Sequence, residues 1–194
     1  MIEIRIGAPD DADAMAAAHT EGWRVGYRGV MPDDYLDDPE FASNRLKGWR
    51  ERNWHAVDDT RLFAAVIDGV VVGFGLCGPE RAQPECSQLD SEQSLQPSAR
   101  RGEVYAFYLH PDAWGSGAAT PLMHACTEHL RSLGFNDAVL WVLRDNPRAR
   151  RFYEKLGWHS TGEESQFDGP VTIGRKLASA VTESQYGTRL VAGG

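Results

Sequence analysis

The chain has 194 residues, of which 42% are apolar and 25% are charged, so it has enough hydrophobic side chains to build a buried core. It carries 20 Lys and Arg against 28 Asp and Glu, a net charge of −8. This balance argues against a nucleic-acid partner, because neutralising phosphates requires clustered cations. No run of about 18 apolar residues is present, so we expect no membrane span.

The N-terminal sequence and the cysteines are used to predict the cellular compartment. The N-terminus, MIEIRIGAPDD, lacks the basic start and apolar stretch of a secretory signal. Cys77, Cys86 and Cys126 are an odd number without a CxxC pair, which predicts reduced thiols and a cytoplasmic location. The six histidines show no metal-binding spacing, so no metal is expected.

The first half of the chain predicts one strand, two helices and a hairpin. In chain order these are a strand at 2–6, a helix from 8 to about 23, a turn-rich stretch at 26–36, a helix at 39–53, and strands at 61–67 and 70–77. Ile2, Ile4 and Ile6 alternate with polar residues, the pattern of a half-buried strand. Asp68-Gly69 joins the last two runs and favours a tight β-turn, in which both central residues have positive φ.

The second half predicts helices alternating with strands. After a polar loop at 78–101 we expect a strand at 103–110, a turn and helix at 115–134, a strand at 138–142, a helix at 146–156, a strand from 158, a turn at 168–170 and a strand at 184–191. The order β-α-α-β-β-β-α-β-α-β-β predicts an α/β (mixed α+β) fold in one domain, 1–194. Its central mixed, mostly antiparallel sheet of six or seven strands would be flanked by about four helices.

The most informative stretch is EVYAFYLHPDAWGSGAA, from Glu103 to Ala119. It predicts a strand, then a turn containing Gly115 and Gly117, then the start of a helix. Glycines let the backbone approach a ligand closely, and a helix N-terminus attracts anions, so the turn suits a pyrophosphate. Pro121 is tolerated only in the first turn, which predicts a helix start near Ala118 or Ala119.

Two segments resemble the GNAT superfamily of N-acyltransferases. HPDAWGSGAATPLM resembles its acyl-CoA pyrophosphate loop, with the pattern positions filled by Trp114, Gly115, Ser116, Gly117, Ala118 and Ala119. Trp114 stands where the family usually has Gln or Arg. NPRARRFYEKLGW, at 146–158, resembles the family's Asn-x-x-Ala-x-x-Phe-Tyr segment. The resemblance covers about residues 1–160, and its acyl-CoA-binding core is about 102–160.

The resemblance implies an N-acetyltransferase with acetyl-CoA as co-substrate and no metal. It would move the acetyl group directly to a primary amine of a small molecule or peptide, within a ternary complex. A non-catalytic acyl-CoA-binding or sensor domain is the alternative, which the departure at Trp114 favours. The acceptor and the oligomeric state, a homodimer included, stay open.

The same resemblance assigns catalytic roles. Tyr153 would be the general acid that protonates the departing thiolate, the alternative being a packed aromatic residue. Glu103, or an ordered water, would be the base, the alternative being a solvent-facing strand residue, with Tyr105 beside it on the same strand face. Backbone amides near Tyr108 or Leu109, at a bulge, would meet the oxyanion.

Further residues are assigned to the two substrates. Asn146 would either cap a helix or contact the pantetheine arm. Arg151, with Arg148 and Arg150, would meet the 3′-phosphate or form a solvated face. The aromatic side chains Trp23, Tyr27 and Tyr35, together with Tyr105, would line the acceptor side, where aromatic rings can hold a cationic amine.

Overall fold

The computed structural model describes residues 1–54, 59–81, 101–167 and 180–190. Its helices are α1 (Ala12–Gly26), α2 (Asp33–Leu36), α3 (Pro39–Arg50), α4 (Ala119–Ser132) and α5 (Pro147–Lys155). Its strands are β1 (Ile2–Ile6), β2 (Arg61–Ile67), β3 (Val70–Pro79), β4 (Gly102–Leu109), β5 (Asp137–Leu143), β6 (His159–Phe167) and β7 (Val181–Arg189). The predicted order is confirmed, and the short α2 lies in the stretch predicted as turn. Most of the predicted loop 78–101 and the turn at 168–170 lie outside the described residues.

The described strands form one sheet in the order β1-β2-β3-β4-β5-β7-β6. All neighbours are antiparallel except β4 and β5, which are parallel and are connected through α4. The mixed, mostly antiparallel sheet is therefore confirmed. The β2–β3 turn also agrees with its sequence, since Asp68 has φ 50° and Gly69 has φ 83°.

Helices cover both faces of this sheet. On one face, Met15 of α1 and Trp49 of α3 pack against Phe74 of β3. On the other face, Leu130 of α4 packs into a cluster that includes Leu140 of β5. Burying a side chain of this size contributes about 1.5–3 kcal/mol. The sheet is thus the middle layer of three, and a place where two of its strands part would open it to a ligand.

Such a parting occurs between β4 and β5. The two strands pair only at Gly102–Ala138, Glu103–Val139 and Val104–Leu140, and β4 then continues alone to Leu109. Pairing stops at a bulge in β4, because Cys77 of β3 pairs with Val104 while the preceding Leu76 pairs with Ala106. The extra residue is Tyr105. A bulge bends its strand, which turns β4 away from β5.

The bulge position corrects the sequence analysis. We expected it near Tyr108 or Leu109, and it lies at Tyr105. A bulge inserts one residue but needs no particular side chain unless φ is positive, so the sequence carries no marker for its place.

Within the described ranges no helix is long and apolar enough to cross a membrane. Nor do the described side chains include three or more His, Cys, Asp or Glu grouped so as to hold a metal ion. Cys77 and Cys126 are free and buried, while Cys86 lies outside the described residues.

Candidate active site

The parting of β4 and β5 opens a groove of about 260 Å³. Its walls are β4 from Val104 to Leu109 and β5 from Leu140 to Val142. Three further sets of residues complete the lining: Trp114, Gly115 and Gly117 before α4, Gly22, Gly26 and Tyr27 in and after α1, and Asn146, Arg148, Phe152 and Tyr153 in and before α5. The groove therefore brings together the two segments that carry the sequence resemblance.

The glycine-containing turn before α4 forms part of the groove wall. Gly115 and Gly117 have φ of 81° and 91°, a region that suits glycine because it has no Cβ. The helix α4 begins at Ala119, as Pro121 predicted. The amides of Ala119 and Thr120 in its first turn have no carbonyl four residues back within the helix, and the helix dipole is positive there. These features give an anion site at the mouth of the groove.

A cationic side chain stacks on Trp114 in this turn. The guanidinium carbon of Arg148 in α5 lies 3.3 Å from the centroid of the Trp114 ring. The indole Nε1 donates a hydrogen bond of 3.0 Å to the carbonyl oxygen of Leu109, which fixes the ring. Arg148 thus places a positive charge beside position 114, where the resemblance implies Gln or Arg.

Arg151 occupies a different position from Arg148. Its side chain is exposed, its Nε donates to the carbonyl oxygen of Pro147 at 3.1 Å, and it is not part of the groove wall. The arginine that the structure places against the glycine-containing turn is Arg148, which the sequence predicts only as one of three candidates for the 3′-phosphate.

The free edge of β4 turns amides into the groove. The amide of His110 donates to the carbonyl oxygen of Val72 in β3 at 2.7 Å. Because backbone groups alternate along a strand, the amides of Leu109 and Phe107 point the other way, toward the opening. Donors thus line the wall where an oxyanion was predicted to bind.

Tyr153 lies in the wall of the groove and is buried, with 8% of its surface exposed. Burial raises its pKa, and the nearby Tyr108 raises it further, so the phenol stays protonated at neutral pH. Asn146 caps the same helix, since its side chain accepts the Ala149 amide at 3.1 Å. It also lines the groove, so both roles considered for it are geometrically open.

Two tyrosines in the groove wall contact each other. The hydroxyls of Tyr27 and Tyr108 lie 3.3 Å apart in a hydrogen bond, and burial raises the pKa of both phenols. Tyr27 was predicted on the acceptor side. Tyr108 was considered only for its backbone, although its alternation with Phe107 and Leu109 places it on the opposite face of β4.

Glu103 is engaged in an ion pair. Its carboxylate accepts hydrogen bonds from the backbone amide of Arg81 at 2.9 Å, from Nη2 at 2.6 Å and from Nε at 3.3 Å. Only 1% of Glu103 is exposed, and it is not part of the groove wall. The Arg81 guanidinium also stacks on Tyr105 at 4.3 Å, while the Tyr105 hydroxyl donates to the carbonyl of Pro79. Arg81 could not be found from the sequence because it lies in a stretch without periodicity.

Trp23 and Tyr35, predicted for the acceptor side, are buried and are not part of the groove wall. They are 6% and 3% exposed and pack in one cluster with Phe41. The Arg45 guanidinium lies 4.5 Å from the Trp23 ring and 4.0 Å from the Phe41 ring, and burial lowers its pKa to about 10. Of the four aromatic residues predicted for the acceptor side, two are part of the groove wall, namely Tyr27 and Tyr105.

Glu183 of β7 is a carboxylate that the sequence analysis missed. It pairs in register with Leu143 of β5 and is half-buried. Burial and the negative charge of Glu103 raise its pKa to about 7, opposed by the positive charge of Arg81. The available signal was the alternation in VTESQY, which puts Glu183 on the same face as Val181, a residue packed on the Trp23 cluster.

Comparison with known proteins identifies the family. The family model described as "Acetyltransferase (GNAT) family" matches residues 30–158. The chain is 29% identical over 147 residues to the uncharacterized N-acetyltransferase YuaI of Bacillus subtilis, covering 76% of this chain and 75% of that protein. It is 28% identical over 169 residues to the probable N-acetyltransferase Rv2775 of Mycobacterium tuberculosis, covering 83% and 82%. A mycothiol acetyltransferase of Parafrankia is 28% identical over 88% of this chain but only 56% of its own length.

Solved structures share the fold. The yncA acetyltransferase of Salmonella typhimurium with acetyl-CoA superposes with a TM-score of 0.63 at 17% identity, over 100% of this chain and 96% of that one. The paia N-acetyltransferase of Thermoplasma acidophilum, in complex with coenzyme A, gives 0.59 at 16% identity over 95% and 98%. The family model, the relatives and the fold agree, and the chain belongs to the GNAT family of acetyltransferases.

Proposed function

We propose that this protein transfers an acetyl group from acetyl-CoA directly to a primary amine of a small molecule or peptide, with both substrates bound at once. The observation that carries the proposal is the groove between β4 and β5. Its wall includes the glycine-containing turn before α4, which suits an anion, and Tyr153, Tyr108 and Tyr27. An extended phosphate-bearing cofactor would fit such a groove with its reactive end at the tyrosines.

The residues present fit acetyl-CoA. Gly115 and Gly117 with the first amides of α4 would hold the pyrophosphate, assisted by Ser116, Ala118 and Arg148. The Phe107 and Leu109 amides would bind the cofactor's carbonyl oxygens, and Asn146 would contact the pantetheine arm. Bound acetyl-CoA supplies an electrophilic thioester carbonyl and a thiol leaving group.

Tyr153 is proposed as the acid that protonates the leaving sulfur. A thiolate in a buried groove is poorly solvated and therefore more basic than in water, where thiols have a pKa of about 8.5. A phenol held protonated beside it can deliver its proton as the carbon–sulfur bond breaks. The sequence predicts Glu103 with Tyr105, or an ordered water, as the base. Because the Glu103 carboxylate is bound by Arg81, Glu103 would act on the amine indirectly.

Thermal unfolding with and without acetyl-CoA is the first test, with NAD and ATP as controls. Ligand at about 100 times its Kd adds roughly 2.7 kcal/mol, which for a chain of this size raises Tm by about 5–11 °C. An increase with acetyl-CoA alone supports the cofactor site. No increase at millimolar acetyl-CoA contradicts the proposal.

CoA release with a panel of amines is the second test, with Tyr153→Phe as the variant. We expect turnover to fall about 100-fold or more while the acetyl-CoA-dependent rise in Tm is kept, since only a proton donor is removed. A rise in Tm without amine-dependent CoA release would instead favour the non-catalytic acyl-CoA-binding domain.

A further inference from the structure

Two tyrosine hydroxyls form a hydrogen-bonded pair in the groove wall. Those of Tyr27, directly after α1, and Tyr108, in β4, lie 3.3 Å apart, and both residues line the groove. Each residue keeps part of its surface accessible. Their hydrogen bond uses one of the two hydroxyl hydrogens, so the other hydrogen and lone pairs on both oxygens remain for a third partner. The pair can therefore donate to a ligand in the groove and also accept from it.

Aromatic packing holds the two rings in place. The Tyr27 ring lies 4.9 Å from that of Trp23, and the Tyr108 ring lies 4.6 Å from that of His19 and 5.7 Å from that of Phe74. His19 stays uncharged at neutral pH, because burial lowers its pKa well below the usual value. Side chains packed in this way have little rotational freedom to lose when a ligand binds, which favours binding by their hydroxyls.

The ionisable groups around the pair leave it protonated at neutral pH. Burial raises the pKa of both phenols. Tyr153 of α5 and Glu183 of β7 raise the pKa of Tyr27 further, and Glu183 acts on Tyr108 in the same direction. Arg45 of α3 opposes the shift at Tyr108, whose pKa is nevertheless raised. Two uncharged phenols therefore line the groove.

These hydroxyls suit an uncharged nitrogen better than an ammonium. Among the described residues of the groove wall, Arg148 carries the one formal charge, which is positive and repels a cation. Moving an ammonium out of water into such a groove is unfavourable, because nothing there offsets its charge. An uncharged amine avoids this loss. Its N–H donates to a phenol oxygen, and its lone pair stays free to face a thioester carbonyl.

We propose that the Tyr27–Tyr108 pair binds the acceptor nitrogen as the uncharged amine, and that the acceptor is a weakly basic primary amine, such as the α-amine of an amino-acid amide or peptide. This inference rests on the proposed function and names the substrate class and two binding residues for it. An α-amine has a pKa of about 7.7–8.0, against about 10.4 for the lysine side chain. At pH 7 roughly one α-amine in ten is uncharged, but only about one lysine amine in 2,500.

The proton balance of the reaction closes without a further base. The nitrogen forms a bond to the acetyl carbon as the carbon–sulfur bond breaks. The nitrogen loses one proton and the sulfur gains one, so the two substrates together neither release nor take up a proton. Tyr153 gives its proton to the sulfur and is restored by the proton that leaves the nitrogen.

The first test measures binding and needs no turnover. Tyrosine Cζ carbons are labelled with ¹³C, the resonances of Tyr27 and Tyr108 are identified from their Phe variants, and glycinamide is added at pH 6, 7 and 8, with and without CoA. We expect both resonances to shift, with an apparent Kd that falls about tenfold from pH 6 to 7, because only the uncharged amine binds. Unmoved resonances, or a Kd that does not change with pH, overturn the proposal.

The second test compares turnover of glycinamide with that of Nα-acetyllysine amide. At pH 7 we expect kcat/KM to be about 100-fold larger for glycinamide. From pH 7 to 9 the value for the lysine compound should rise about tenfold per pH unit, while that for glycinamide levels off near pH 8. A kcat/KM that falls above the pKa of the amine means that the ammonium binds, and one midpoint shared by both amines means that the enzyme supplies a base. Either result overturns the proposal.

The double variant Tyr27→Phe/Tyr108→Phe removes both hydroxyls. We expect its KM for glycinamide to rise about tenfold or more, while the acetyl-CoA-dependent rise in Tm is kept. Tyr186→Phe is the matched control, because the Tyr186 hydroxyl bonds with Arg150 and Glu154 and is not part of the groove wall. Its loss should lower stability and leave KM unchanged. A KM within threefold of wild type in the double variant overturns the role of the pair.

The outcomes separate the two proposals. Absence of turnover with any amine counts against the proposed function, while the tyrosine resonances still decide on the pair. An acetyl-CoA-dependent rise in Tm shows that the double variant is folded and binds cofactor. If it does not fold, the single variants Tyr27→Phe and Tyr108→Phe replace it, and a KM within threefold of wild type in both overturns the role of the pair.

Discussion

At the scale of single residues, the environment decides what an ionisable side chain can do. Glu103 and Glu183 have the same carboxylate, but one is bound by Arg81 and the other has no ion-pair partner among the described residues. Arg148 and Arg151 are one turn apart on α5, yet only Arg148 stacks on Trp114 and lines the groove. The type of side chain alone therefore does not tell the roles of these two glutamates or of these two arginines.

The two arginines give a direct comparison. Arg148→Met should raise the Kd for acetyl-CoA about tenfold, because a charged contact to phosphate is lost in a partly dry groove. Titration calorimetry at two salt concentrations measures this, and the variant's affinity should depend less on salt. If Arg151→Met loses more affinity than Arg148→Met, the sequence-based choice of Arg151 is the correct one.

At the scale of elements, the turn before α4 depends on backbone conformation more than on side chains. Gly115 has φ 81° and no neighbouring atom near the place of a Cβ. Gly134, after the C-terminus of α4, has φ 85° and equally open surroundings. The two glycines thus carry a similar conformational penalty for substitution but lie at opposite ends of the helix.

Gly115→Ala and Gly134→Ala should each cost about 1–2 kcal/mol of stability, since a Cβ disfavours positive φ. Only Gly115→Ala should also raise the KM for acetyl-CoA several-fold, because it changes the direction of the amides at the groove. Thermal melts and steady-state kinetics on the pair check this. An equal change of KM in both variants would mean that the turn has no specific part in binding.

The elements could be predicted well, and the site only partly. Alternation and turn residues predicted the order of elements along the chain, and Pro121 predicted the start of α4. The bulge at Tyr105 and the ion pair between Arg81 and Glu103 depend on strand pairing and tertiary contact, which local patterns do not encode. Glu183 was overlooked because its strand lies far along the chain from the segments that carry the resemblance.

At the scale of the whole molecule, stability depends on pH through opposing groups. The pKa of Asp11 is lowered mainly by its hydrogen bond with Arg5, and that of Asp37 by its hydrogen bond with Arg28, so their stabilisation is present above the unfolded pKa and is lost as pH falls. The pKa of Glu183 is raised from 4.5 to about 7, so the folded state binds the extra proton. Its effect has the opposite sign, and stability falls as pH rises from about 4.5 to 7.

Glu183→Gln should therefore be more stable than the wild type at pH 8, by about 1–3 kcal/mol. At pH 4.5 the two should differ little. For a chain of this size this is roughly 2–4 °C of Tm per kcal/mol, measurable by calorimetry. A variant that melts lower than the wild type at pH 8 would show that the charge of Glu183 stabilises the fold instead.

The three residue pairs that join β4 to β5 have a mechanical consequence. Nearly all direct backbone bonding between the front four strands and the back three passes through this one short seam. A molecule seated in the groove would add a second attachment between the two halves. Occupancy would then couple the unfolding of the two halves more tightly, in addition to the shared hydrophobic cluster that already joins them.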